Sequence, residues 1–211
     1  MKPTPNYALY LCTDRDLMSS ATVEESVAQA VKGGATVVQL REKACSSLEF
    51  YELARRVHEI TLRAKVPLII NDRVDIALAV DAEGVHVGQS DLPAAKVREL
   101  LGPEKLIGVS AGTAEEAIAA ERAGADYLGV GAMFSTSTKP DADVVSPSEL
   151  ARIRAAVKIP FVLIGGMNAK TIPSFKGFGM AGFAVISAIV AANDVARAAS
   201  EIRHLAEEAL K

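Results

Sequence analysis

The strongest constraint on the fold is a rhythm. Apolar, β-branched runs recur at nearly even intervals: "ALYLCT" (8–13), "TVVQL" (36–40), "PLIIN" (67–71), "GVHVG" (84–88), "KLIGVS" (105–110), "DYLGVG" (126–131), "FVLIGG" (161–166) and "FAVIS" (183–187). Each is short and almost free of polar interruption, the pattern of strands covered on both faces and hence of a parallel sheet. Between them lie amphipathic stretches that start on Ser or Thr and in several cases stop on Gly. In "TVEESVAQAVKGG" Thr22 is placed to cap a helix and Glu25 to close a capping box, while Val23, Val27, Ala30 and Val31 make one stripe. Small residues before a strand recur in "KGGATVVQL", "DAEGVHVG", "AGADYLGVG" and "GMAGFAVIS", a faint internal repeat. Eight strand–helix units in 211 residues predict an α/β fold, a closed (β/α)8 TIM barrel, as one domain over residues 1–211. An open doubly wound sheet is the rival; eight units and the lack of a GxGxxG fingerprint fit it poorly.

Half of the residues are hydrophobic, enough for one sizeable core, and no Pro/Gly/Ser-rich linker divides the chain. The formal charge is -3, whereas binders of nucleic acid or anionic membrane usually carry an excess of Lys and Arg. No nucleic-acid or membrane partner is expected, and any anion must be gripped by a local cluster. Cys12 and Cys45 show no CxxC spacing and read as free thiols, small buried apolar residues in a reducing compartment. The first apolar run is too short for a membrane span and no secretory h-region with a cleavage site is present, so a cytoplasmic protein is expected.

In a TIM barrel the chemistry gathers at the carboxyl ends of the strands. There the sequence ends strand two in Gln39, Arg41 and Lys43 and strand three in Asn71, Asp72 and Arg73, and strand four runs through His86, Gln89 and Asp91. Ser110 ends strand five, Thr136, Thr138 and Lys139 follow strand six, Gly165 and Gly166 follow strand seven, and Ser187 ends strand eight. Arg41, Lys43 and Lys139 concentrate positive charge in an acidic protein, and the hydroxyls and glycine backbone add neutral donors. That mixture suits phosphate groups. "IGGMN" and "VISAI" sit where many barrels hold a phosphate on backbone N–H groups and a short helix.

An acid beside such a cluster would repel an anion unless a hard cation stood between them, which gives Asp72 and Asp91 a role with Mg2+. Each could instead be a helix N-cap. Arg73 and Asp75 read as a solvated pair or as helix-start charges. His58 and His204 lie in helical patterns and read as surface or interface residues, and His86, inside strand four, reads as a satisfied core imidazole rather than a catalyst. No Ser-His-Asp set, HExxH motif or Cys/His metal spacing is present.

Taken in order, "QLREK", "LIINDRVDIALAVDAEGVHVGQSDLP", "IGVSAGT", "GAMFSTSTK", "IGGMN" and "AVISAI" resemble the successive motifs of the thiamine-phosphate synthase family, over nearly the whole chain. The resemblance implies a transferase that joins the diphosphate ester of 4-amino-5-hydroxymethyl-2-methylpyrimidine to a thiazole phosphate, releasing pyrophosphate and requiring Mg2+. Carried over by position, it implies that Gln39, Arg41, Lys43, Asn71, Ser110 and Lys139 hold the pyrimidine diphosphate and Asp72 and Asp91 the metal. Arg41, Lys43, Ser110 and Lys139 would also act in catalysis. Thr136, Thr138, Gly166, Ile186 and Ser187 would hold the thiazole phosphate, partly through backbone N–H groups. The polar segment over 132–146 lacks apolar periodicity and is expected to be a lid that excludes water. A thiazole tautomerase-like paralogue, or a phosphate-ligand sensor without turnover, are the alternatives; the full diphosphate and metal set argues against the first, and a sensor needs neither a metal pair nor a lid lysine.

Overall fold

The hydrogen bonding of the strands runs in chain order and closes on itself. In a computed structural model that describes residues 2–135 and 143–211, the strands are β1 (Leu9–Cys12), β2 (Val37–Leu40), β3 (Leu68–Asn71), β4 (Gly84–Val87), β5 (Leu106–Ala111), β6 (Tyr127–Val130), β7 (Phe161–Leu163) and β8 (Gly182–Val185). All pairs are parallel, and β8 returns to β1 with Leu9 opposite Phe183. The predicted TIM barrel is therefore the observed fold, and the open sheet is excluded.

Helices α1 (Val23–Lys32), α2 (Ser47–Ala64), α3 (Val74–Ala79), α4 (Ala94–Leu101), α5 (Ala114–Arg122) and α6 (Pro147–Ala156) follow the first six strands. A short 3-10 helix (Ile172–Phe175) follows β7, and α7 (Ser187–Val190) and α8 (Val195–Ala209) follow β8. Among the described residues no helix is long and apolar enough to cross a membrane.

Strand alternation divides the buried residues into two cores. Leu9, Leu11, Val38, Leu40, Leu68 and Ile70 face outward and meet the helices, whereas Tyr10, Val37, Ile69, Leu106, Tyr127 and Val162 fill the barrel. Bulk inside one side of the barrel is matched by glycine: a Cβ on Gly108 would collide with the Tyr127 ring and His86.

Local deviations have local causes. Thr22 caps α1 by accepting the Glu25 N–H at 3.1 Å, but the Glu25 carboxylate takes the N–H of Ala21 at 3.2 Å, so the predicted box stays half formed. The closed box is at α2, where Ser46 Oγ accepts the Glu49 N–H at 3.2 Å and the Glu49 carboxylate accepts the Ser46 N–H at 2.8 Å. The run 161–166 stops as a strand at Leu163, because Gly165 and Gly166 adopt φ of 90° and 70° and turn the chain away.

Two predicted environments are corrected. His58 is buried rather than superficial, with Nδ1 against the Val80 carbonyl at 2.9 Å and Nε2 against Glu83 at 3.2 Å. Cys12 is buried but Cys45 is only partly so, and both are free thiols. His204 is exposed, as expected.

Candidate active site

Most of the described site stands on β2 to β5. Alternation puts Gln39, Asn71, His86 and Ser110 on inward positions of four successive strands; Asn71 lies opposite His86 in register, and Gln39, Asn71 and His86 are buried. Just past them the chain turns. Asp72 takes φ of 61°, a left-handed conformation that Asp tolerates better than most residues, and its N–H donates to the His86 carbonyl at 2.8 Å.

That turn places the Asp72 carboxylate next to two other loops. Lys43, beyond β2, donates from Nζ to Asp72 Oδ2 at 2.7 Å. Asp91, beyond β4, accepts the Gly88 N–H on Oδ2 at 2.7 Å, near enough to Asp72 for its carboxyl to feel that charge. Burial and then the adjacent Asp72 charge hold the Asp91 carboxyl above its ordinary range, with the Gly88 N–H and Lys43 pulling the other way. Two carboxylates this close are costly unless a cation joins them, and a pair of hard oxygen donors fits Mg2+, which takes one or two carboxylates and completes its shell with water and phosphate. Neither acid is an N-cap: α3 starts after Arg73 and α4 after Pro93, neither with a side-chain cap bond. Among the described residues no group of three or more His, Cys, Asp or Glu forms a closed metal cage.

Arg41 is set by strand one. Thr13 Oγ1 accepts the Arg41 N–H at 2.9 Å, and the guanidinium donates to Asp14 Oδ2 at 3.4 Å. Thr13 and Asp14 are not among the site residues expected from sequence, although the polar "TD" that ends the first apolar run is the same signal as the polar ends of the other strands. Gln89 donates to the Ser110 carbonyl at 2.7 Å. Arg73 pairs with Asp75 at 2.6 Å, as expected.

The opposite side of the barrel is backbone-rich. The start of the long segment after β6 is tied to the exit of β7, with Met133 N–H donating to the Ile164 carbonyl at 2.9 Å and Phe134 N–H to the Gly165 carbonyl at 3.2 Å, and its far end returns to the start, with Val145 N–H donating to the Ala132 carbonyl at 2.8 Å. A Cβ on Gly165 would stand 2.6 Å from that of Ala132, so the approach requires glycine. The Gly166 carbonyl accepts from Asn168 Nδ2 and Thr171 Oγ1, each at 2.9 Å. Ile186 precedes α7 and Ser187 opens it, exposed. Thr136, Thr138 and Lys139, with the centre of the expected lid, lie outside the described residues.

Beneath the mouth, polar groups continue into the barrel. Gln39 Nε2 donates to the Tyr10 hydroxyl at 2.8 Å, the hydroxyls of Tyr10 and Tyr127 are 2.7 Å apart, and Tyr127 Oη is 3.2 Å from His86 Nδ1. His86 Nε2 is 3.0 Å from Ser110 Oγ. His86 is thus a satisfied interior imidazole, and burial pushes its pKa down to about 4. Burial also holds both phenols well above their ordinary range.

Fold and site together define a TIM-barrel enzyme whose polar side chains gather at the carboxyl mouth of the barrel. A family model described as thiamine monophosphate synthase matches residues 9–189. A thiamine-phosphate synthase of Clostridium beijerinckii is 59% identical over 97% of this chain and 98% of its own, and one of Clostridium botulinum is 53% identical over 96% and 95%. Among solved structures, the thiamine phosphate pyrophosphorylase of Pyrococcus furiosus superimposes with a TM-score of 0.90 at 41% identity, covering 98% of both chains. The chain belongs to the thiamine monophosphate synthase family, and it is a transferase of thiamine biosynthesis.

Proposed function

We propose that the protein joins 4-amino-5-hydroxymethyl-2-methylpyrimidine diphosphate to a thiazole phosphate, forming thiamine monophosphate and pyrophosphate. The observation that carries this reading is the convergence of Lys43, Asp72 and Asp91 from three different loops, above Asn71 and Ser110, in a chain nearly coextensive with relatives named for that product.

Gln39, Arg41, Lys43, Asn71, Ser110 and Lys139 bind the pyrimidine diphosphate, and Thr136, Thr138, Gly166, Ile186 and Ser187 the thiazole phosphate. Asp72 and Asp91 would hold Mg2+, which when bound supplies Lewis acidity toward diphosphate oxygen. The bond from the exocyclic CH2 to oxygen breaks, its electron pair leaves with pyrophosphate, and the 4-amino group donates electrons into the ring to spread the positive charge. The thiazole nitrogen then closes the new C–N bond with its lone pair. No proton moves, so no strong general base is needed, in keeping with a neutral His86. Arg41, Lys43, Lys139 and the Ser110 hydroxyl stabilise the charge that builds on the leaving group. Closure of the 132–146 segment would keep water from trapping the cation as an alcohol.

Incubating the protein with both substrates and Mg2+ and measuring pyrophosphate and thiamine phosphate tests the reading. Equimolar products are expected, lost on chelation and strongly reduced in Asp91→Ala. Binding without turnover would identify a sensor, and conversion of the thiazole alone a tautomerase.

A further inference from the structure

His86, Tyr10 and Tyr127 have no part in the proposed chemistry, yet they form an unbroken line of polar atoms from Gln39 to Ser110. The direction of the hydrogen bonds along that line follows from counting hydrogens. Gln39 Nε2 can only donate, so the Tyr10 oxygen accepts from it. Among the described residues, the sole remaining polar contact of the Tyr10 hydroxyl is Tyr127 Oη, which must take its hydrogen. The Tyr127 hydrogen must then go to His86 Nδ1, and the ring hydrogen sits on Nε2, donated to Ser110 Oγ. A doubly protonated ring is excluded by the same count: it would need Tyr127 to donate back toward Tyr10, stranding one buried hydroxyl hydrogen.

We propose that Tyr10, Tyr127 and His86 are positioning residues whose one-way hydrogen-bond chain occupies the Ser110 oxygen from below and leaves the Ser110 hydrogen to be donated at the barrel mouth. The inference that this donation assists catalysis rests on the function proposed above; the orientation itself does not. The slot for the chain is built into the strands. Gly108 has no Cβ where one would collide with both Tyr127 and His86, and a Cβ on Gly129 would come within 3.0 Å of the His86 ring. The amide of Gln39 sets the sense, because an acceptor in place of Nε2 would reverse every link: Tyr10 would donate to it, Tyr127 to Tyr10, His86 from Nδ1 to Tyr127, and Ser110 downward to Nε2.

The test has two readouts. With ring-15N histidine, the His86 signals, assigned by their loss in His86→Gln, report the tautomer at neutral pH without any turnover. The Nε2–H form is expected in the wild type and the Nδ1–H form in Gln39→Glu; an Nδ1–H wild type, or a tautomer unmoved by Gln39→Glu in a folded variant, overturns the proposal. For catalysis, Tyr127→Phe is expected to lower kcat by about tenfold with KM changed less than about twofold, the scale of one misdirected hydrogen bond. In a Ser110→Ala background the same change should cost less than about twofold, whereas a merely structural role would cost as much there as in the wild type and would refute action through Ser110. If no variant, wild type included, makes thiamine phosphate, the functional reading fails while the tautomer measurement still decides the orientation.

Discussion

Asp91 carries a charge that the folded chain disfavours, and at the scale of one residue that is a mark of function rather than of stability. Its pKa is raised, so the protein loses stability as the group ionises with rising pH from its ordinary range through its folded value. Asp91→Asn keeps an acceptor for the Gly88 N–H and removes the repulsion by Asp72. Its unfolding midpoint at pH 7 is expected to rise by about 1–2 °C, corresponding to about 0.5 kcal/mol, with no gain below pH 3.5, while turnover falls; calorimetry at the two pH values checks the sign. Lys139→Ala is expected to lower kcat by about a hundredfold or more, as loss of a single preorganised donor does, and steady-state kinetics measures it. Asp72, Asp91 and Lys43 were legible in the sequence because their charges make sense only together. His58 was misread because its partner Glu83 lies 25 residues further along, on a segment whose nearness only the closed barrel reveals.

At the scale of an element, termini and crossings matter more than interiors. Ser46→Ala removes one side of the α2 capping box and should cost about 1 kcal/mol, lowering the thermal midpoint by about 2–4 °C. Gly165→Ala combines a φ of 90° with a clash against Ala132, and is expected to cost about 1–3 kcal/mol and to free the stem of the segment after β6, seen as faster amide exchange at Met133 and Phe134. Every predicted apolar run contains a strand, since continuous burial on both faces is a property of composition. Where each strand stops was less legible. The runs ending at Gly166 and Ser187 stop as strands at Leu163 and Val185, because a glycine turn and a helix start claim the final residues.

At the scale of the whole molecule, the histidines make acid stability a sum of opposed effects. The Glu83 carboxylate raises the pKa of His58, so that contribution is present below about pH 6.5 and is lost as pH climbs through the folded value. Burial pushes Glu83 up, but His58 and the Leu68 N–H outweigh it and its pKa is lowered, so its contribution is lost as pH falls below its ordinary 4.5. The destabilisation caused by His58→Gln is therefore expected to be largest between about pH 4.5 and 6.5 and to shrink toward pH 8, as denaturant midpoints would show. His86 works in reverse: held neutral to about pH 4, it withdraws stability as the medium falls from 6.5 to that value, and in a proton NMR titration its ring should protonate well below that of His58. The barrel itself was legible because eight like units have few ways to bury both faces of every strand; the line of tyrosines inside it was not, since a tyrosine in an apolar run gives no hint of what its hydroxyl meets. The ring also has a consequence for synthesis. A nascent chain that has not yet emerged past Val185 presents β1 and β7 as two open sheet edges, so until the last strand arrives it is exposed to intermolecular pairing that the finished protein cannot undergo.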